Sequence, residues 1–168
     1  MRRHMTIVIA ALVLVYAGGA RADTVRGTVV RVIDGDTVVV RVAGGRSGLK
    51  SGGTVRVRLA GIDAPEIKQA YGPEAKRSLA QLVEGRIVQI QYSGRDRWGR
   101  IIGTLVQDNR DICRELVLRG DAWWFRRYSR SVSLAAAEES ARADGRGLWS
   151  NANAAPPWDF RGGAKSAR

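Results

Sequence analysis

The sequence predicts an α+β fold in which a five-stranded β-barrel of the OB type is capped by three α-helices. Short runs of β-branched residues alternate with arginine and threonine, as in strands with one buried face. Apolar stripes at helical spacing, ended by glycines, occur only after the third and the fifth of these runs. The chain has 168 residues, enough for one domain with a substantial core. These patterns favour a barrel with helices but do not fix the strand order.

Five segments predict the strands. The segment from 24 to 42 contains two of them, because the Asp34-Gly35 pair between its apolar runs is a strong signal for a tight turn. The third strand has alternate apolar residues on one face and Arg56 and Arg58 on the other. The third, fourth and fifth strands are predicted at 54–62, 86–94 and 98–107, with a Gly/Ser-rich loop at 43–53.

Three segments predict helices. In the first, Pro73 suits the first helical position, Glu74 suits the positive end of the helix dipole, and Gly85 ends the helix. Cys113 falls in the apolar pattern of the second helix and is expected to be a small buried hydrophobic residue. The helices are predicted at 71–85, 111–120 and 132–147.

Both ends of the chain are predicted to lie outside a folded domain at 23–150. Residues 1–22 have a positive start, an apolar run short for a membrane span and a final Ala-Arg-Ala, as in a secretory signal peptide. We expect a secreted or periplasmic protein without stable membrane insertion once this segment is removed; an uncleaved anchor is the alternative. The Pro/Gly-rich residues 151–168 are expected to form a flexible tail, from which Trp158 and Phe160 could dock.

Composition restricts the possible chemistry. A net charge of +12 and a pI near 11.1 favour a nucleic acid, an anionic lipid or a polysaccharide as partner. The predicted signal peptide contains three arginines and the only histidine, so the mature charge falls from +12 to +9. A mature chain with no histidine and one cysteine excludes a Ser-His-Asp triad, a Cys-His pair, an internal disulfide and a zinc site built from His and Cys. A metal would be a hard cation with oxygen ligands, Ca²⁺ or Mg²⁺.

Carboxylates occur at the ends of two predicted strands. Asp36 opens the second strand, whereas Asp63 and Glu66 follow the third, where Pro65 breaks it. Neighbouring strand ends could bring these acids together, and three close carboxylates repel unless a cation neutralises them. The cluster therefore predicts a metal. The alternative is that each acid makes turn hydrogen bonds, which is the interpretation we favour for Asp34.

Arginines and aromatic residues lie close to these acids in the sequence. Arg58 shares a strand with Asp63, and Arg100 follows Trp98 on the next hairpin. The planar fork of arginine matches phosphate, although most arginines of so basic a chain must be solvated surface charges. The segment "WWFRRY" (123–128) interleaves aromatic residues with arginines and could stack bases; the alternative is that its first three aromatics belong to the core.

Taken together, these motifs resemble the staphylococcal nuclease (thermonuclease) family. "VIDGDTVVV", "VRLAGIDAPE", "YGPEA", "DRWGR" and "GRGLWS" occur in the family's order and spacing over about residues 24–150. Each motif alone is weak, whereas five in order are highly specific. The resemblance implies an OB-fold barrel with three helices and a monomer. It also implies Ca²⁺-dependent hydrolysis of DNA and RNA, including single strands, in which the 5′-oxygen leaves and 3′-phosphate ends form.

The resemblance also implies a metal site and a general base. Asp36 and Asp63 correspond to the family's Ca²⁺ carboxylates, and Ala64 stands where a main-chain carbonyl binds the metal. Alanine replaces the threonine of the best-known member, which should matter little for a main-chain ligand. Glu66 corresponds to the residue taken as general base for the attacking water. The segment from Glu66 to Tyr71 is shorter than in that member.

The substrate contacts follow from the same resemblance. Arg58 and Arg100 match the two phosphate-binding arginines, and Trp98, Arg126 and Tyr128 are expected to contact the substrate. Arg126 and Tyr128 lie where the best-known member has two tyrosines beside the nucleotide, so one aromatic residue is lost. The alternative is an OB-fold module that binds nucleic acid without cutting it. A third interpretation is a protein that binds an anionic surface, but this function would not require the cluster of acids at the strand ends.

Overall fold

The computed structural model describes residues 23–44 and 49–166. The predicted signal peptide lies outside these residues. Eight strands and four α-helices are present in the described part of the chain. The strands are β1 (Asp23–Val32), β2 (Thr37–Ala43), β3 (Thr54–Leu59), β4 (Ile62–Asp63), β5 (Ile87–Arg95), β6 (Ile101–Gln107), β7 (Arg110–Asp111) and β8 (Trp123–Trp124). The helices are α1 (Gly72–Val83), α2 (Ile112–Arg119), α3 (Val132–Ala143) and α4 (Pro157–Ser166), and a 3-10 turn spans Gly147–Ser150.

Five of the strands close into a barrel in the order β3-β2-β1-β5-β6. Neighbours along this order are antiparallel, and the barrel closes through a parallel pairing of β3 with β6, in which Arg58 lies opposite Ile102. Closure leaves no long sheet edge open to solvent. The predicted α+β fold with an OB-type barrel is therefore confirmed. The short β4 and β8 pair with each other outside the barrel, with Asp63 opposite Trp123.

The core forms inside the barrel and under the helices. Alternation along each strand points one set of side chains inward, and the apolar stripes of α1 and α2 cover the barrel. Cys113 is buried among them, as expected. Fully buried members of the core include Val29, Val38, Val40, Val57, Leu79, Val83, Ile90, Leu105 and Leu116.

The three predicted helices occur at the predicted places with slightly shorter spans. Pro73 lies in the first turn of α1. The side chain of Asp111 caps α2, and Gly120 ends it with a φ of 74°, a conformation that glycine adopts without strain. The third helix ends at Ala143, four residues before the predicted end at 147, where the 3-10 turn begins.

The prediction of a flexible C-terminal tail and of only three helices requires a correction, because residues 157–166 form α4. Trp158 anchors this helix by stacking on Phe125, with ring centroids 5.3 Å apart, and by an edge contact with Trp123 at 5.7 Å. The side-chain amide of Gln69 also donates to the carbonyl oxygen of Ala155 at 2.6 Å. These tertiary contacts outweigh the low helix propensity of the glycines, which composition alone could not reveal.

Trp158 thus docks on the domain, whereas Phe160 stays partly exposed. None of the helices in residues 23–44 and 49–166 is long and apolar enough to cross a membrane.

Candidate active site

The turn between β1 and β2 fixes Asp36. Asp34 accepts a hydrogen bond from the main-chain N–H of Asp36 at 3.1 Å, which is the turn role expected for it. The Asp36 carboxylate accepts from the Thr37 hydroxyl at 3.1 Å and from the N–H of Ala64 at 2.8 Å. Because Asp36 is almost fully buried, these donors hold its carboxylate in one orientation against the chain after β4.

Small residues allow the three segments around Asp36 to approach closely. A Cβ atom on Gly35 would lie 2.6 Å from the Cβ of Ala64 and 2.9 Å from that of Ala75 in α1. Both distances are too short for a real contact, so the turn, the Asp63–Ala64 segment and α1 can meet only with glycine at position 35.

Arg58 connects the two buried acids. From the adjacent strand β3, its Nη2 lies 3.0 Å from Oδ2 of Asp36 and 2.8 Å from Oδ1 of Asp63. Its Nη1 donates to the carbonyl oxygens of Leu59 and Ile62, both at 2.9 Å. The guanidinium is therefore anchored by main chain as well as by carboxylates, and its side chain is only 16% exposed.

The loop between β4 and α1 carries Glu66. A Cβ atom on Gly72 would overlap the carbonyl oxygen of Glu66, so glycine lets the start of α1 pack against this loop. The side chain of Gln69 accepts from the N–H of Glu66 at 3.2 Å. Tyr71, with a φ of 67°, ends the loop, and its hydroxyl donates to the buried Asp121 at 2.9 Å. The main chain of Glu66 is thus fixed while its side chain remains 39% exposed.

A residue of α4 completes the cluster. Arg161 places Nη2 2.6 Å from Oδ2 of Asp63, and its Nη1 lies 2.7 Å from Oε1 of Glu66 and 3.3 Å from Oδ1 of Asp63. The three predicted acids are therefore joined by two arginines, Arg58 and Arg161. Arg161 was not predicted as a site residue, because it lies in the segment expected to be flexible.

Two of the three predicted acids, Asp36 and Asp63, are arranged to bind a hard cation. The predicted cluster of three carboxylates around one point is not formed in the described residues. In the described ranges no three acidic, histidine or cysteine side chains surround one point as metal ligands. Instead Asp36 and Asp63 converge on one cationic nitrogen, and Glu66 is joined through Arg161. Burial raises the pKa of Asp36 to about 7, with Arg58 opposing the shift. Two buried carboxylates that face a shared positive charge are a donor set suited to Ca²⁺.

Arg100 lies on the turn between β5 and β6. Asp96 accepts from the main-chain N–H of Arg100 at 3.0 Å and of Trp98 at 2.9 Å, and pairs with Nε of Arg100 at 2.7 Å. In the parallel pairing of β3 with β6, Arg58 lies opposite Ile102, so Arg100 lies directly before the strand that neighbours Arg58. Among the described residues Arg100 has no ion pair to Asp36, Asp63 or Glu66, and its guanidinium lies 5.1 Å from the centroid of the Trp98 ring.

A basic groove of about 460 Å³ adjoins Arg100 and Trp98. Its charged walls are Lys50, Arg56, Arg95 and Arg100, and the ring of Trp98 is 65% exposed beside them. Sequence reasoning did not single out Lys50, Arg56 or Arg95, because no local pattern separates them from other solvated charges. Trp98 lies in the groove, and Arg56 on the groove wall belongs to the same strand, β3, as Arg58.

The other two predicted substrate residues have different surroundings. Arg126 pairs with the buried Glu138 of α3 at 2.8 Å. Tyr128 is exposed, and its ring packs edge-on against Phe125 with centroids 4.8 Å apart. Neither is paired with an acid of the cluster in the part of the chain that the structure describes. Trp123 is buried against Trp149, which confirms the core interpretation for this tryptophan.

Comparison with known proteins agrees with this architecture. The profile of the family described as "Staphylococcal nuclease homologue" matches residues 56–151, which is more than half of the chain and includes Arg58, Asp63, Glu66 and Arg100. The chain belongs to the staphylococcal nuclease family. As a nuclease of this family it is a hydrolase that acts on nucleic acids, which decides against the non-catalytic module.

Three relatives of this nuclease have names that agree with the assignment. An "Uncharacterized endonuclease" of Escherichia coli is 36% identical over 162 residues, covering 96% of this chain and 98% of that protein. A "Micrococcal nuclease" of Shigella flexneri is 38% identical over 171 residues, covering 95% and 93%. A probable staphylococcal-like nuclease of Oryza sativa subsp. japonica is 39% identical over 113 residues, covering 67% of this chain and 31% of that protein.

The packing around Gly35 leads to a prediction for the nuclease. Gly35→Ala should lower the free energy of unfolding by about 1–3 kcal/mol, the usual cost of overpacking, and should reduce cleavage because Asp36 moves. Denaturant unfolding and a cleavage assay measure the two effects. Gly94→Ala is the matched control, because nothing lies within 4 Å of the added methyl group. Equal stability of the two variants would contradict the close approach at Gly35.

Proposed function

We propose that this nuclease is a Ca²⁺-dependent endonuclease that cleaves single-stranded DNA and RNA. The 5′-oxygen is the leaving group, and the products carry 3′-phosphates. The main support is the convergence of the buried Asp36 and Asp63 on one cationic nitrogen, which shows that both carboxylates can share one positive charge. Membership of the family supports nuclease activity itself.

In this proposal the side chains of Asp36 and Asp63 and the main-chain carbonyl of Ala64 hold the metal ion. The N–H of Ala64 already donates to Asp36, so the alanine and the aspartate are fixed relative to each other. Bound there, Ca²⁺ supplies Lewis acidity toward the scissile phosphate.

Glu66 acts as the general base. Its side chain is 39% exposed, so water can reach it, while Gly72 and Gln69 hold its main chain in place. A carboxylate oxygen of Glu66 accepts the proton of the attacking water as the bond to phosphorus forms.

The guanidinium groups of Arg58 and Arg100 donate to phosphate oxygens and stabilise the charge that develops in the transition state. Arg58 is on β3 and Arg100 is on the turn before the neighbouring β6, so they approach the phosphate from different directions. Asp96 holds Arg100 through its main chain and its Nε, which leaves the terminal nitrogens for the substrate.

The basic groove carries the rest of the strand. Lys50, Arg56 and Arg95 neutralise phosphates beyond the scissile one, and the exposed ring of Trp98 offers a surface on which a base can stack. Arg126 and Tyr128 remain proposed contacts on the other side of the site. We further propose a monomer that is periplasmic or secreted after removal of residues 1–22, on the strength of the sequence pattern alone.

Removal of the metal ion tests the metal assignment. Cleavage of single-stranded DNA should require Ca²⁺ and stop in excess chelator, because Asp36 and Asp63 would no longer hold a Lewis acid beside the phosphate. Gel analysis measures strand shortening, and the resistance of the products to 3′ extension before phosphatase treatment identifies 3′-phosphates. Full activity in chelator would overturn the metal assignment.

Substitution of Glu66 tests the base. Glu66→Gln keeps the shape of the side chain but lowers its basicity, so kcat should fall about 10²-fold or more while strand binding is retained. Single-turnover cleavage and a fluorescence binding assay separate the two effects. A rate close to that of the parent would show that another group takes the proton.

Lysine substitutions test the two arginines. Lysine keeps the charge but loses the two-pronged fork, so Arg58→Lys and Arg100→Lys should each slow cleavage by about 10²-fold. Arg77→Lys is the control, because Arg77 is exposed on α1 and pairs only weakly with Glu74. Arg56 does not serve as a control, since it lines the basic groove. Parental rates in both test variants would mean that charge alone is sufficient.

A further inference from the structure

We propose that α4 forms an autoinhibitory contact, in which Arg161 occupies Asp63 and Glu66 and must leave before the metal ion can bind. This inference rests on the proposed function, because it takes Asp63 as a metal ligand and Glu66 as the base. It assigns a role to a C-terminal segment outside the residues 56–151 that match the family.

The contact uses the oxygens that the proposed reaction needs. Arg161 binds both oxygens of Asp63, at 2.6 and 3.3 Å, and Arg58 also binds Oδ1. A Ca²⁺ ion would have to lie about 2.3–2.6 Å from the same carboxylate, next to the positive guanidinium. Arg161 contacts both oxygens of Asp63, whereas Arg58 contacts only Oδ1, so Arg161 and the ion compete for the same carboxylate lone pairs and repel each other as like charges.

The same contact occupies the proposed general base. Oε1 of Glu66 accepts from Nη1 of Arg161 at 2.7 Å, so this lone pair is not available for the proton of a water molecule. The engaged state of Arg161 therefore interferes with metal binding and with proton transfer at once.

A comparison of the two arginines shows which one can leave. Arg58 is held by two main-chain carbonyl oxygens in addition to the acids, and its side chain is 16% exposed. Arg161 has hydrogen bonds only to Asp63 and Glu66 in the described residues, and its side chain is 41% exposed. Displacement of Arg161 therefore breaks the hydrogen bonds to Asp63, which the incoming ion replaces, and the one to Glu66, which frees the proposed base.

The structure of α4 permits a local release. Trp158 and the buried Pro157 anchor the first turn of the helix, whereas two glycines follow Arg161 directly. Glycine is a weak helix former, so the end that carries Arg161 is held mainly by its ion pairs. The side chain can swing into solvent while the Trp158 anchor stays in place.

Ca²⁺ can bind only to the molecules in which Arg161 is released. The apparent Kd for Ca²⁺ therefore rises in proportion to the population ratio of molecules with Arg161 engaged to molecules with Arg161 released. The charge-assisted hydrogen bonds are partly exposed, which reduces their net strength. We therefore expect a factor of about 10.

Calcium titrations by calorimetry test the proposal on the chain with residues 1–22 removed. Arg161→Met keeps an unbranched side chain and a good helix former but removes the charge and the guanidinium. Its Kd for Ca²⁺ should be about 10-fold lower than that of the parent. Arg77→Met removes the same charge from α1 and should leave the Kd within about twofold of the parent. Circular dichroism verifies that each variant is folded.

Each outcome is decisive. An unchanged Kd in folded Arg161→Met overturns the autoinhibitory contact, and if kcat also falls about 10-fold, Arg161 binds phosphate instead. If neither parent nor variant binds Ca²⁺, the metal assignment of the proposed function fails and the inference fails with it. Should Arg161→Met not fold, Trp158→Ala releases the whole helix and must produce the same gain in Ca²⁺ affinity.

Discussion

The fold and the site both depend on the neutralisation of two buried carboxylates. Asp36 and Asp63 are almost inaccessible to solvent, and burial of like charges is costly unless a cation compensates them. The pairing of β2 with β3 provides the compensation, because Arg58 lies opposite Thr37, the residue after Asp36, and projects from β3 between the acids. Gly35 then permits the close approach that puts Asp36 beside Ala64. Loss of Arg58 would leave Asp36 without a cationic partner among the described residues and Asp63 with Arg161 alone, so the proposed role of Arg58 in catalysis cannot be separated from its role in stability.

The arrangement explains how a strongly basic nuclease keeps an acidic centre. Part of the excess positive charge lies in the groove around Arg56, Arg95 and Arg100, where it can attract phosphate over a distance comparable to the Debye length. The acids lie where strands end and are screened by arginines on two sides. A nucleic-acid strand that approaches the protein therefore contacts the exposed arginines of the groove before it reaches the buried carboxylates.

Much of this could be predicted from sequence, and the limits have physical causes. Alternating residues identified the barrel strands because a strand exposes every second side chain, and the Asp34-Gly35 pair marked the turn that positions Asp36. Arg161 could not be found in this way, since its contact depends on the docking of Trp158 on Phe125 across more than thirty residues of sequence. The part of Arg56 and Arg95 in the groove was missed for a similar reason: only the register of β3 with β6 brings Arg56 close to Arg100. Contacts distant in sequence carry no local pattern.

The charge of the cluster suggests why an arginine suits the inhibited state. With Arg161 engaged, three carboxylates face two guanidinium groups, which leaves the ionised cluster one unit negative and unfavourable for phosphate. Exchange of Arg161 for a divalent ion makes the cluster neutral, and Arg100 then offsets the charge of an arriving phosphodiester. The released Arg161 adds a further positive charge near the site. The exchange therefore does more than free the ligands, because it removes the net negative charge of the cluster that would repel an arriving phosphodiester.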